Sequence, residues 1–275
     1  MIRSLTSGVS GLQQHQVKLD VIGNNIANAN TVAFKGGRTE FEDAFSQSLD
    51  EQTQIGSGVT TGSVTNLFSQ GTVTKTGRPD DMAVAGEGFF VVRNPQTGEE
   101  FVTRAGDFRR SSDGYLTTGN GYRLQGFTNA DMSARGDIRI TAEEAPAGAA
   151  ANATVAAYNV EGDGRIRITL NDGTKYYRGQ VLLQSFSNPN ALRKEGNNLY
   201  SGIANAGPLG GAAPESRAPG SNGLGSIAFE HLEMSNVDLT GEFASLISTQ
   251  RGFQANARII TTSDEILQEI VNLKR

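Results

Sequence analysis

Cysteine and tryptophan are both absent from the 275 residues. Without cysteine there is no disulfide, no cysteine nucleophile and no thiolate metal site, although the compartment stays open. Histidine is almost missing too. His15 and His231 are the only two, and neither stands near a carboxylate cluster in the sequence, a poor basis for a metal centre or an acid–base pair. There is no basic excess: 24 Lys and Arg against 29 Asp and Glu give a formal charge of -5, which argues against a nucleic-acid partner. Runs of about 18 apolar residues are lacking, so no membrane insertion is expected. Met1-Ile2-Arg3 leads into an amphipathic, Gln-rich stretch rather than a secretory signal. Glycine, by contrast, is abundant at 34 residues, and with many Ser, Thr, Asn and Gln it points to turns and short strands.

The apolar residues form a heptad pattern at each end of the chain. After Asp238, Leu239, Phe243, Leu246, Phe253, Ala257, Ile260, Leu267 and Val271 recur at alternating steps of four and three, interrupted only by Gln250 and Asp264. A 3.5-residue period over roughly four to five heptads predicts a coiled-coil-like helix, about 55 Å long. Ser235-Asn236-Val237-Asp238 reads as a capping box, and Lys274-Arg275 place positive charge at the helix end. Ile247, Ile259, Ile266 and Ile270 lie beside the seam. A single partner helix would leave Ile259 and Ile266 wet, so the stripe calls for more than one neighbour. The simpler alternative is a two-helix coiled coil with a few exposed isoleucines. At the other end, Ile2, Leu5, Val9, Leu12, Leu19 and Ile26 repeat the same steps, with lapses at Gln16 and Gly23 and with Val17, Val21 and Ile22 widening the stripe. Gly8, Gly11 and Gly23 each cost about 1 kcal/mol inside a helix, and close approach of a neighbouring backbone would explain them. Two heptad helices in one chain are expected to pair with each other.

Between them the pattern changes. A short helical candidate at 41–49 opens a Gly/Ser/Thr-rich stretch read as an extended linker. Strand signals follow: the apolar run Phe89-Phe90-Val91-Val92, alternation in Arg165–Leu170, and the turn Asn171-Asp172-Gly173 leading into 174–186. The Ala-rich 145–157 reads as a surface loop, and the Gly-, Ala- and Pro-rich 201–226 as a returning linker. The expected class is α+β: paired terminal helices, a central all-β domain and an extended linker. The expected divisions are an axial helix and turn at 1–35, a linker at 36–80, the β domain at 81–225, and a linker with the second axial helix at 226–275.

Chemistry is sparse. Gly86-Glu87-Gly88 and Gly119-Asn120-Gly121 resemble phosphate loops, but neither sits in a βαβ unit, so turns are the better reading. Asp80-Asp81 and Glu143-Glu144 read as solvated pairs. Asp163-x-Arg165 and Asn171-Asp172-Gly173 could contact calcium, yet hairpin turns account for them. Asn152-Ala153-Thr154 fits a glycosylation pattern of little weight. No nucleophile–base constellation is present, so an enzyme, a cofactor or a metal is not expected.

Gly23-Asn24-Asn25-Ile26-Ala27-Asn28-Ala29-Asn30-Thr31-Val32-Ala33-Phe34-Lys35 is the most specific stretch. Its asparagines tolerate left-handed backbone and bond nearby main chain, so the first helix should end and the chain turn there. The stretch resembles the signature of the bacterial flagellar rod and hook protein family, approximately N-N-x-A-N-x-x-T-x-G-F-K. Asn24, Asn25, Ala27, Asn28, Thr31, Phe34 and Lys35 match it; Ala33 replaces the family's glycine, which sets against a positive φ there. The chain's opening, 76–92 and 223–275 are similar to the same family, and the last residues lean towards hook. The resemblance implies a structural, self-assembling subunit of the hook, a bendable tube transmitting torque from basal body to filament, with the terminal helices inside and the β domain outside. The alternatives are a distal rod protein or, from other classes, a secreted β-rich adhesin or binding module, or an enzyme on a β scaffold. It also implies copies of the chain itself, the rod, hook cap and hook–filament junction proteins, and the flagellar type III export apparatus as partners, with export lacking a cleaved signal. The assembly interface would comprise Leu5, Val9, Leu12, Leu19 and Ile26 with Phe243, Leu246, Phe253, Ile260, Leu267 and Val271.

Overall fold

The computed structural model describes residues 2–44, 46–50, 53–56, 58–132, 134–142, 153–209, 218–221 and 223–273. The chain divides into two units: Met1–Ala29, Lys35–Leu67 and Val237–Arg275 form the first, and Asn30–Phe34 and Phe68–Asn236 the second.

The first unit is built on two helices, α1 over Ile2–Ala27 and α2 over Leu239–Leu273. Asp238, not Ser235, caps α2: its Oδ1 accepts from the Thr240 N–H at 3.0 Å. The cap is therefore a single aspartate bond three residues beyond Ser235, and Gly241 at the third helical position offers no side chain to complete a capping box. Lys274 and Arg275 lie outside the described residues. The helices touch with opposite chain directions, Gly8 lying beside Ile260, Gly11 beneath Asn256, and His15 over Gly252. A Cβ on Gly11 would stand 2.6 Å from Asn256 Nδ2, and one on Gly252 2.8 Å from the His15 ring. Bare backbone at these positions makes room for the side chain opposite. Gly23 differs, with nothing within 4 Å of where its Cβ would be.

The stretch expected to be an extended linker opening with a helix is strand instead. Gly37–Asp43 pairs antiparallel with Val59–Asn66, and Ser46–Asp50 with Thr53–Gly56. Gly37–Asp43 alternates half-buried and exposed residues, the period of a strand with one covered face. α1 supplies the cover. Phe41 meets His15 edge-on at 5.8 Å and Lys18 at 5.6 Å, Val59 N–H donates to Ser10 Oγ at 3.3 Å, and Thr61 Oγ1 donates to Gln14 Oε1.

The second unit is β-rich, and its strand pairings are antiparallel. Phe89–Arg93 lies mid-sheet, paired with Glu100–Thr103 on one side and Arg123–Phe127 on the other. Its run of four apolar residues lacks alternation because both faces are covered. Phe90 and Val92 enter a larger core with Phe108, Leu124, Ile138 and Ile168, whereas Phe89 and Val91 enter a smaller one with Val102, Phe186, Leu192 and Tyr200. Arg165–Leu170 alternates as expected, Ile166, Ile168 and Leu170 pointing inward, and turns at Gly173 (φ 84°) into Lys175–Val181. Two loop assignments need correction. Val155–Val160, the end of the Ala-rich stretch, is a strand paired with Arg165–Leu170, while 143–152 lie outside the described residues. Within 201–226, Ile203 and Ala206 are buried in the smaller core, and Ser226 starts the strand Ser226–Phe229 that pairs with Met82–Ala85. Such isolated apolar residues among glycines carry no periodicity from which burial can be read. Two long helices and a mostly β unit make the class α+β.

Candidate assembly face and signature loop

α2 covers little of its own apolar surface. Among its described residues only Thr249 and Ser263 are buried, and both are polar. They fill the layers where Gln250 and Asp264 interrupt the apolar repeat, one residue earlier. Their hydroxyls donate to the Ser245 and Ile259 carbonyls, each at 2.7 Å, so burial leaves neither group unpaired. The buried positions of α1, Gly8, Gly11, Ile22 and Asn25, are likewise shifted from the apolar seam. Leu5, Leu12, Leu19 and Ile26 are half-buried on α1, as are Leu246, Phe253, Ile260 and Leu267 on α2. Val9, Phe243 and Val271 are not brought into any core, nor are Ile247, Ile259, Ile266 and Ile270; on α2 these exposures run from 42% to 66%. Large apolar side chains are thus left in water along the length of α2.

At the end of α1 the asparagines hold main chain. Asn28 Nδ2 donates to Asn24 O at 2.9 Å and to Asn24 Oδ1 at 3.0 Å, closing the last turn of the helix. Asn25 is 2% exposed and reaches further. Its Oδ1 accepts from Gly37 N–H at 2.9 Å, while Nδ2 donates to Gly37 O at 2.8 Å and to Glu242 Oε1 at 2.9 Å. One amide thus ties α1, the root of the hairpin and the first turn of α2. Ala27 is the last residue of α1 and is exposed, and Lys35 is fully buried.

The next residues of the signature belong to the second unit. Val32 O accepts from Asn198 Nδ2 at 2.7 Å, Ala33 N–H donates to Glu233 O at 2.7 Å, and buried Phe34 lies 4.0 Å from Lys194 Nζ. Thr31 and Val32 line a cavity of about 330 Å³ with Asp107, Asn120 and Asn198. Ala33 has φ 55° and is completely buried. The left-handed conformation expected to be lost with the family's glycine is therefore kept by an alanine, at about 1–2 kcal/mol of local strain.

Glu233 anchors this loop. Its side chain is fully buried, takes the Gly71 N–H at 2.9 Å, and faces Arg104 Nη1 at 3.6 Å. Burial pushes the Arg104 guanidinium below its ordinary value, and the Glu233 charge opposes that shift. Burial also pushes the neighbouring Tyr200 phenol up to about 12. Sequence reasoning missed Glu233, Asn198, Glu242, Thr249 and Ser263, which are single polar residues in no motif. Only the breaks at Gln250 and Asp264 hinted at the last two.

The other chemical candidates resolve into ordinary structure. Gly86, Gly88 and Gly121 sit at positive φ in turns. His15 packs in the first unit, and His231 Nδ1 contacts Phe229 O at 2.7 Å in the second. Among the described residues no three His, Asp or Glu side chains are grouped to hold a metal. Asn152, Glu143 and Glu144 lie outside the described residues.

Three family descriptions match the chain. Residues 5–35 match the flagella basal body rod protein family, 83–166 the D1 domain of the flagellar hook FlgE/F/G proteins, and 230–273 the flagellar basal body rod FlgEFG C-terminal family. The flagellar basal-body rod protein FlgG of Bacillus subtilis is 40% identical over 288 aligned positions covering all of both chains. FlgG of Caulobacter vibrioides is 32% identical over 99% of this chain and all of its own. The flagellar hook protein FlgE of Borreliella burgdorferi is 26% identical, but its alignment extends over 448 positions, so it carries long stretches that this chain lacks. Rod and hook proteins are both among the relatives, and the two rod proteins match this chain's length, which favours the rod alternative over the hook reading. The chain belongs to the flagellar basal-body rod and hook protein family, a structural family of the bacterial flagellum.

Proposed function

We propose that this chain is a subunit of the flagellar rod that polymerises with copies of itself. The observation that carries the reading is the uncovered α2 face, where Phe243, Ile247, Ile266, Ile270 and Val271 remain 46–66% exposed in a single chain. A two-helix pair cannot cover a stripe that wide, and identical neighbours packed round an axis can. In this reading α1 and α2 form a coiled-coil-like axial pair, and Leu5, Val9, Leu12, Leu19, Ile26, Phe243, Leu246, Phe253, Ile260, Leu267 and Val271 face neighbouring subunits or each other. Other rod proteins and the hook are its neighbours along the axis in this reading, and the flagellar type III apparatus exports it.

The full-length match to a hook protein supports a second reading, a short hook subunit. Electron microscopy of basal bodies from a strain lacking this chain separates the two. A rod subunit leaves a truncated rod; a hook subunit leaves a complete rod with no hook. Intact rods and hooks would overturn both.

A further inference from the structure

α1 and α2 meet through small-on-large contacts that recur with the heptad: Gly8 under Ile260, Gly11 under Asn256, and His15 over Gly252. Contacts of this kind resist rotation of one helix about the other. They do not by themselves forbid a slip by one heptad, since the repeat presents a similar surface again. Sliding α2 by seven residues sets Thr249 opposite Gly11, which leaves it room, and Ser245 opposite His15, whose ring must turn aside for the added Cβ. The apolar stripes repeat every heptad except at Gln250, Asp264, Gln16 and Gly23, so most of their contacts recur after such a slip.

One directional contact lies on the same antiparallel diagonal, at the far end of the pair. We propose that the hydrogen bond from Asn25 Nδ2 to Glu242 Oε1 is the register key of the terminal helices. The Asn25 amide is 2% exposed, and both its N–H groups are committed, one to Gly37 O and one to Glu242. A heptad slip moves Glu242 about 10 Å along the axis and leaves a buried donor unpaired. A single buried polar contact of this type sets register in helix pairs that apolar packing leaves degenerate. Glu242 is well placed for the role: it lies in the first turn of α2, where the helix dipole favours a carboxylate. Gly37 completes the lock, because the reciprocal bonds to its N–H and C=O fix the Asn25 side chain before α2 arrives. Register then passes from the hairpin root, through one amide, to α2. The inference concerns a single chain and holds for either polymer.

The chain has no cysteine, so two introduced ones report the register directly. Spin labels on Val17→Cys and Ile266→Cys, both at exposed positions, give an inter-helix distance by pulsed electron resonance in the soluble full-length chain. With Asn25 and Glu242 intact, one narrow distance is expected. Asn25→Asp removes both donors and sets a carboxylate against Glu242, so a second population displaced by about 10 Å should appear. Adding Glu242→Gln reverses the bond, the new amide donating to the new carboxylate, and should restore the single distance. A single native distance in Asn25→Asp, no restoration in the double variant, or no defined distance with both residues intact would each overturn the proposal. Failure to polymerise would count against the subunit reading and leave these distances unaffected.

Discussion

The two units solve opposite problems. The β-rich unit buries its apolar residues within itself: Phe90, Val91, Val92, Leu124 and Ile168 are fully covered, and Phe89–Val92 serves two cores at once. The helical unit buries two hydroxyl residues of α2 and leaves a row of isoleucines in water. Area buried from water is what stabilises a fold, at about 25 cal/mol per Å². By that measure the β unit is self-sufficient, whereas the helical unit leaves in water apolar surface that the proposed assembly would cover. Where a protein leaves its large apolar side chains exposed indicates which part is unfinished as a monomer.

The contrast can be broken first from the β side. Glu233→Ala leaves Arg104 buried without its carboxylate and frees the Gly71 N–H. It should cost about 3–5 kcal/mol in urea unfolding followed by near-ultraviolet circular dichroism. Next, Ile266→Asp and Ile270→Asp sharpen the contrast from the helical side. Both positions are exposed in the single chain, so monomer stability should shift by no more than about 0.5 kcal/mol. In the polymer the same carboxylates would be buried unpaired, at about 2 kcal/mol or more per contact, and sedimentation should find no polymer.

A smaller, pH-dependent effect belongs to His15. Burial between α2 and Phe41 lowers its imidazole below the ordinary value, and Lys18 adds to the shift. A depressed folded-state value means that the unfolded chain takes up the proton first. The stability contributed by neutral His15 is therefore present above about pH 6.5 and lost as pH falls through that region. Thermal unfolding at pH 7.5 and pH 5 should show a larger drop for the natural chain than for His15→Gln.

These effects differ in how visible they were beforehand. The helices were legible because heptad spacing needs only the local pattern, and α1 and α2 stand where it placed them. The most deeply buried helix positions lie one residue away from the apolar seam. Thr249 and Ser263 are small and self-satisfied, and a search for apolar side chains passes over them, whereas Gly8 and Gly11 were legible as points of close approach. The hairpin at 37–66 was hidden because its cover comes from α1, so its strands alternate weakly and carry few large apolar residues. Asn25 was singled out for its ability to bond main chain, yet its partners Gly37 and Glu242 lie 12 and 217 residues away and share no motif with it. Ala33 is the counterexample: substitution of the family's glycine argued for ordinary backbone, and tertiary bonding held φ at 55° regardless.

That position gives the smallest effect. Ala33→Gly relieves about 1–2 kcal/mol of left-handed strain, but loses a buried methyl worth about 0.8 kcal/mol and loosens the unfolded chain. The net change in β-unit stability should stay within about 1 kcal/mol, as read by the same urea titration.

The central claim is that the helical unit is completed by other copies and the β unit is not. Amide hydrogen exchange, compared between dilute monomer and assembled polymer, tests it most directly. The account predicts that Leu239–Leu273 exchanges faster in the monomer than in the polymer and gains protection on assembly, while Phe89–Arg93 and Arg165–Leu170 are protected equally in both. Equal protection of Leu239–Leu273 in monomer and polymer, or gains on assembly confined to the β unit, would contradict it.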